Sequence, residues 1–223
     1  MSAAERRIAT TDRDALRRWI PEGYSPTRHI AGLALAALGG AALALSRHAA
    51  QLRPVDLAAV PLTLALATLL EYIAHRWLMH VPRRALRLAW EAHTGRHHHF
   101  YREDAPTWER PSDIWLILFS SLDVVVLVAI VSGPYALLQR VLPPGAWALA
   151  VATSCVFFLS YELLHLSYHL PEGHPLLRNR WLSAMRRHHL RHHRLSDMNT
   201  HFGVTTRLWD RVFGTLATPS NPG

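Results

Sequence analysis

Lysine is absent from this 223-residue chain: all 24 basic residues are arginine, against 16 acids, giving a net charge of +8. Cysteine is almost absent too. The single Cys155 excludes an internal disulfide framework, a Cys-based zinc module and a cysteine-held iron–sulfur cluster. No glycine-rich dinucleotide fingerprint occurs, the short termini are not expected to carry a haem domain, and the lone His174-Pro175 of "EGHPLL" is too little to be a haem ligand. Charge is scarce overall, at 18% of residues against 50% hydrophobic and a mean hydropathy of +0.04, which is too apolar for an ordinary soluble domain.

The apolar residues fall in four blocks, about 30–46, 55–73, 114–131 and 145–164, each nearly free of charge and of a length suited to a helix crossing ~30 Å of hydrocarbon. The expected fold is all-α, with four transmembrane helices and a cytoplasmic histidine-rich helical cap. A cytoplasmic tail, 1–29, precedes a single membrane domain, 30–223. No small-residue cleavage site follows the first block, so it reads as a retained anchor. Its Gly32, Ala36 and Gly40 have the spacing that lets membrane helices approach closely. Six arginines precede the first block, seven lie from Arg76 to Arg110 and eight from Arg178 onward, leaving Arg47, Arg53 and Arg140 for the far side. By the positive-inside rule both termini are cytoplasmic, in a membrane expected to be bacterial. Trp77, Trp115 and Trp147 border the blocks as interfacial anchors would. Asp123, beside Ser120 and Ser121, is an ionisable residue at membrane depth, read as a polar contact between helices.

Sixteen histidines are the most informative feature. His29 and His48 flank the first block and look incidental. "EYIAHRWLMH" supplies His75 and His80, "AHTGRHHHF" His93, His97, His98 and His99, "YELLHLSYH" His165 and His169, and "HHLRHH" His188, His189, His192 and His193. All four clusters follow the second and fourth blocks, on one side of the membrane. At about 100° per residue, His165 and His169 share a helix face, as do His93 with His97 and the set His189, His192 and His193. His75 and His80 fall roughly 140° apart on a regular helix, so they serve two ions or the helix frays there. His97 and His98 are also splayed. Imidazoles without thiolate suit iron, zinc or copper, and their number exceeds what one ion needs, so two metals are expected. The chain also repeats at low resolution. Glu71 and Glu162 stand about one turn before His75 and His165, placed to hold the far ring nitrogen of a ligating histidine.

These motifs, "HRWLMH", "HTGRHHHF", "HLSYH" and "HHLRHH", in this order and on this membrane frame, resemble the fatty acid hydroxylase and sterol desaturase superfamily. The closing stretch "HFGVTTRLWDRVFGT", 201–215, is similar to the segment that ends the family's catalytic domain. The resemblance implies ten metal ligands: His75, His80, His93, His97, His98, His165, His169, His189, His192 and His193. Many members have HxxHH as the second motif, whereas this chain has three residues between His93 and His97, which leaves the register, and His99, open. His188 and His201 are unassigned, and Asp210 is a candidate supporting partner beside a packing Trp209.

What the resemblance further implies is a non-haem di-iron centre that uses O2 to oxidise an unactivated C–H bond, with zinc able to replace iron in a purified sample. Hydroxylation of a lipid, at a fatty acyl chain or head group, is the expected reaction; desaturation, or action on a sterol, hopanoid or carotenoid, is the alternative. Electrons come from a separate ferredoxin or reductase. The arginine-rich face could dock it, or could hold anionic lipid headgroups, the reading favoured from the sequence. A histidine-rich metal transporter would place ligating groups at mid-span, where only Asp123 lies. A basic nucleic-acid module would leave histidine spacing arbitrary, so no nucleic-acid partner is expected.

Overall fold

The computed structural model describes residues 13–119 and 136–216. Among these residues all regular structure is helical. The described residues divide into two compact units, one formed by 25–69, 119 and 136–163, the other by 13–24, 70–118 and 164–216.

The first unit takes most of three helices: α1 (Pro26–His48), α2 (Ala59–Ile73) and α4 (Pro144–Tyr168). With their flanking turns, Pro26–Gln51, Pro54–Met79 and Pro144–Tyr168 are long and apolar enough to cross a membrane. Leucines 35, 38, 43, 62, 64 and 66 are exposed on them, a surface that water would penalise and lipid would not. Helix α1 starts at Ser25, whose hydroxyl accepts from the Arg28 N–H, with Pro26 in the first turn where its missing donor costs nothing. It buries Leu33, Ala37, Ala41 and Ala44. The packing stripe is thus one column over from the expected Gly32, Ala36 and Gly40. Gly32 and Ala36 are exposed, and only Gly40 makes a close approach, to Cys155. Buried Asp56 accepts from the Arg53 N–H and guanidinium, and Gly145 has no side chain because a Cβ there would strike this carboxylate.

The second unit is built from short pieces. After α2 come a π-helical turn Ala74–Met79, α3 (Arg87–Ala92), a second π-helical turn His93–His97, and the 3-10 turn Pro111–Leu116. Then follow the last turn of α4, α5 (Arg180–His192, capped by Asn179) and α6 (Leu208–Val212). Phe100, Tyr101, Leu116 and Ile117 form a buried apolar cluster, with Leu16, Ile20, Trp108, Trp115 and Leu166 packed against it. Residues 13–24 belong to this unit. The Arg13 guanidinium lies 4.2 Å above the Phe100 ring and donates to Glu109 and the Thr107 carbonyl.

Three candidate spans are therefore described. The block expected over 114–131 begins in the 3-10 turn, where Ile114, Leu116, Ile117 and Leu118 are buried in the histidine-bearing unit. The remainder of that block, with Ser120, Ser121 and Asp123, lies outside the described residues.

Candidate metal centre

The second unit gathers ten imidazoles into two groups of five. His75, His80, His93, His98 and His192 form one, and His97, His165, His169, His189 and His193 the other, with the ligating atoms of each within 4.8 Å of one another. These are the ten histidines singled out from the sequence. The groups abut, since the rings of His98 and His193 stack at 4.3 Å and those of His93 and His97 at 5.1 Å. Nine of the ten rings are buried, and His80 is half-buried.

Two π-helical turns make the partition. Closing i→i+5 hydrogen bonds, a π turn stacks residues five apart, which an α-helix cannot do. The turn Ala74–Met79 brings His75 and His80 to one site, so they are not split between two ions, and the departure from a regular helix expected there takes the form of a π turn. In the turn His93–His97 the His98 N–H donates to the His93 carbonyl, which pairs His93 with His98 and sends His97 to the other group. The expected pairing of His93 with His97 is thereby corrected. The third residue between them, the departure from HxxHH, is what the π turn accommodates. His99 points away, its Nδ1 bonded to the Thr94 carbonyl.

On α5 the expected common face of His189, His192 and His193 is also divided. His189 and His193, four apart, join His165 and His169, while His192 turns to the His75 group. Adjacent rings differ by about 100°, which is wide enough to reach two abutting sites.

Five of the far ring nitrogens are held by backbone carbonyls. Nδ1–H groups donate from His75 to Phe202, from His97 to Leu116 (2.9 Å), from His169 to Pro106 (2.7 Å), from His192 to Thr200 (2.7 Å) and from His193 to Tyr101. A carbonyl can only accept, so each bond fixes the Nδ1–H tautomer and leaves Nε2 with a bare lone pair. Those lone pairs face inward. Nε2 atoms approach each other at 2.8 Å (His75–His93), 3.1 Å (His93–His98), 3.0 Å (His80–His192), 3.1 Å (His97–His165), 3.2 Å (His169–His189) and 3.0 Å (His189–His193). The Nε2 of His189 meets two bare nitrogens, those of His169 and His193, and could donate a proton to only one of them, whereas a cation among the rings serves all three. Metal–nitrogen bonds of about 2.1 Å span about 3.0 Å at a right angle and about 3.4 Å at the tetrahedral angle. The observed edges match the right angle, as five nitrogen donors around one ion require, and the residues fit a metal pair.

Electrostatics agree with that fit. Burial, reinforced by neighbouring rings, pushes His80 down to about 2 and His97 down to about 3, and holds His93, His98, His169, His189, His192 and His193 well below the ordinary imidazole value. The rings are neutral at physiological pH, so ligation requires no proton loss.

Glu71 does something other than what its spacing suggested. Glu71 accepts from the N–H groups of Val204 (2.6 Å) and Thr205 (3.1 Å) and from the Thr205 hydroxyl; it grips the closing segment, not an imidazole. Glu162 accepts from the Phe119 N–H at 3.0 Å. Asp210 holds the N–H groups of Phe202 and Gly203, each at 2.8 Å, and the Nε2 of His188 at 3.0 Å. His188 and His201 belong to neither group. Their rings pack at 4.7 Å, and His201 adopts a left-handed φ of 56° while its N–H donates to the Thr215 carbonyl. The carbonyls that orient the rings carry no side-chain signature, which is why sequence patterns miss them. Asp113 is missed too, although Pro111 followed two residues later by an acid is a helix-start signal.

Comparison with known proteins places this arrangement. The fatty acid hydroxylase family model matches residues 60–215. Relatives include the rat fatty acid 2-hydroxylase (29% identical over 154 residues) and an Arabidopsis thaliana dihydroceramide fatty acyl 2-hydroxylase (31% over 153). A third is a Schizosaccharomyces pombe ceramide very long chain fatty acid hydroxylase (28% over 152). These matches take in 67%, 67% and 66% of this chain but only 37%, 56% and 39% of the relatives. A solved structure of full-length scs7p, with only the hydroxylase domain visible, shares the fold at a TM-score of 0.64 and 22% identity, over 85% of this chain and 67% of that one. With a family model covering well over half its length and its histidine clusters inside the match, the chain belongs to the fatty acid hydroxylase family.

Proposed function

We propose that this chain is a membrane-bound, O2-dependent di-iron oxidase that hydroxylates a C–H bond of a lipid, at a fatty acyl chain or head group. One observation carries the reading: ten imidazoles in two abutting groups, five of them with the tautomer set by carbonyls so that bare Nε2 lone pairs converge. The similarity to fatty acid and ceramide 2-hydroxylases supports the substrate class. His75, His80, His93, His98 and His192 would hold one iron, and His97, His165, His169, His189 and His193 the other. The iron pair, when bound, supplies O2 activation and the oxidising power needed for an unactivated C–H bond.

The overall reaction balances as RH + O2 + 2e⁻ + 2H⁺ → ROH + H2O. Its two electrons come from a separate donor, a ferredoxin or reductase. The residues' part is to position and to exclude. Carbonyls of Tyr101, Pro106, Leu116, Thr200 and Phe202 keep five rings in one tautomer and orientation. Burial of nine of the rings keeps bulk water from the site. In the membrane arrangement that goes with this reading, a single domain over 30–223 has four spans, the third in chain order being 114–131, with both termini and the histidines cytoplasmic.

The test is expression of the intact protein and of His189→Ala in the same host, with lipid extracts compared by mass. A species heavier by one oxygen, present only with intact His189, is the expected result. One lighter by two hydrogens would replace hydroxylation by desaturation, and no difference would overturn the reading.

A further inference from the structure

The carbonyls that hold the rings come from two separate stretches of chain, one for each histidine group. Tyr101, Pro106 and Leu116, which take the Nδ1–H groups of His193, His169 and His97, lie within 101–116. Thr200 and Phe202, which take those of His192 and His75, lie within 200–202. All three acceptors of the first stretch serve the His97 group, and both of the second serve the His75 group.

Each stretch is anchored by one fully buried carboxylate that belongs to neither group. Asp113 accepts from the N–H groups of Glu109 (3.1 Å) and Arg110 (2.9 Å), and the Arg17 guanidinium grips it through two bonds of 2.9 and 3.0 Å. Its own carbonyl takes the Tyr101 hydroxyl at 2.7 Å. Burial alone would raise its carboxyl, but Arg17 and the two N–H groups hold it below the usual range, so it stays a charged acceptor. At the other stretch, Asp210 bonds the Phe202 and Gly203 N–H groups and the Thr215 hydroxyl (2.7 Å). The peptide joining Phe202 to Gly203 is thus pinned at its N–H, that of Gly203, by Asp210, while its carbonyl, that of Phe202, pins His75. If the N–H is released the peptide can rotate, and the carbonyl then leaves the ring.

We propose that the two metal positions rest on separate backbone cradles, with Asp210 the positioning residue for the His75 group and the Arg17–Asp113 pair for the His97 group. The hold on each ion is therefore set independently, through carbonyls and not through side chains that touch the metal. This inference rests on the reading of both groups as metal sites.

The experiment is a cobalt(II) titration of the chelator-stripped full-length protein, followed by ligand-field absorption and metal counting. Wild type takes two ions per chain. In Asp210→Asn, which replaces one acceptor oxygen by a donor, one ion binds as in wild type and the other about 10–100-fold more weakly, the usual cost of a lost supporting partner. Arg17→Gln gives the same pattern. Ligand-deleted backgrounds assign the ion. Asp210→Asn weakens the ion left in His97→Ala and leaves that of His75→Ala unchanged, and Arg17→Gln does the reverse. Thr215→Val, which removes one hydroxyl from Asp210, shows the Asp210 selectivity with a smaller shift and serves if Asp210→Asn does not fold. Equal weakening of both ions by either change, or none, overturns the separate cradles. A wild type that takes up no cobalt overturns instead the metal-site reading beneath them.

Discussion

His97 and His98 are neighbours in the chain, their rings stand at 86° to each other, and they belong to different metal groups. The peptide joining them is therefore part of the link between the two sites. Deleting either ring should empty one position and spare the other. His97→Ala and His98→Ala are each expected to weaken one ion by at least the roughly 10–100-fold that loss of a supporting partner costs. The double variant should weaken both, and metal counting on the purified proteins checks this.

The π-helical turn at His93–His97 depends on one residue beyond a regular helix. Deleting Gly95, whose position is not crowded, leaves four steps from His93 to the following ring that now serves as its partner. An ordinary α-turn then replaces the π turn, and the His93 and His98 rings, now four apart as His165 and His169 are, still share a face. The expected outcome is a His75 group that still takes up its metal, read by metal content with helicity retained by circular dichroism.

Acid should unfold the metal-free protein. His97 is pushed down to about 3 by burial, so the unfolded chain, near the ordinary 6.5, binds the proton that the folded chain refuses. Stability from this neutral ring is fully present above pH 6.5 and is lost as pH falls from there towards 3. Each such ring contributes at most about 1.4 kcal/mol per pH unit, and several buried rings act together. Melting of the stripped protein from pH 8 to 5 should show a steep drop below about 6.5. A flat profile would contradict neutral burial.

Gly203 is there because nothing larger fits. A Cβ would run into the Thr206 carbonyl and come within 2.9 Å of the Asp210 carboxylate. Gly203→Ala should cost about 1–3 kcal/mol, the scale of an overpacked interior, and lower the melting temperature even of the metal-free protein.

Much of this was legible in the sequence because local patterns carry it. Apolar block length marked three helices that the structure describes as long enough to span, and histidine spacing marked every ring of both groups. Beyond the His165–His169 pair, four apart on a regular helix, the assignment of rings to groups was not legible. It depended on π turns, and 100° per residue assumes the α geometry that those turns abandon. The roles of Glu71 and Asp210 were hidden for a different reason: their partners are backbone N–H groups, which every residue but proline has.

The sequence by itself determined that imidazole, and not thiolate, would be an abundant ligating group, that it would lie in four clusters, and that the chain was too apolar to be an ordinary soluble domain. Those are properties of composition and spacing, which folding does not change. Only the tertiary structure decided which ring joins which group, which nitrogen each presents, and which carbonyl holds it. These depend on segments as far apart as His75 and Phe202 meeting in space, and no pattern confined to one segment encodes such a contact.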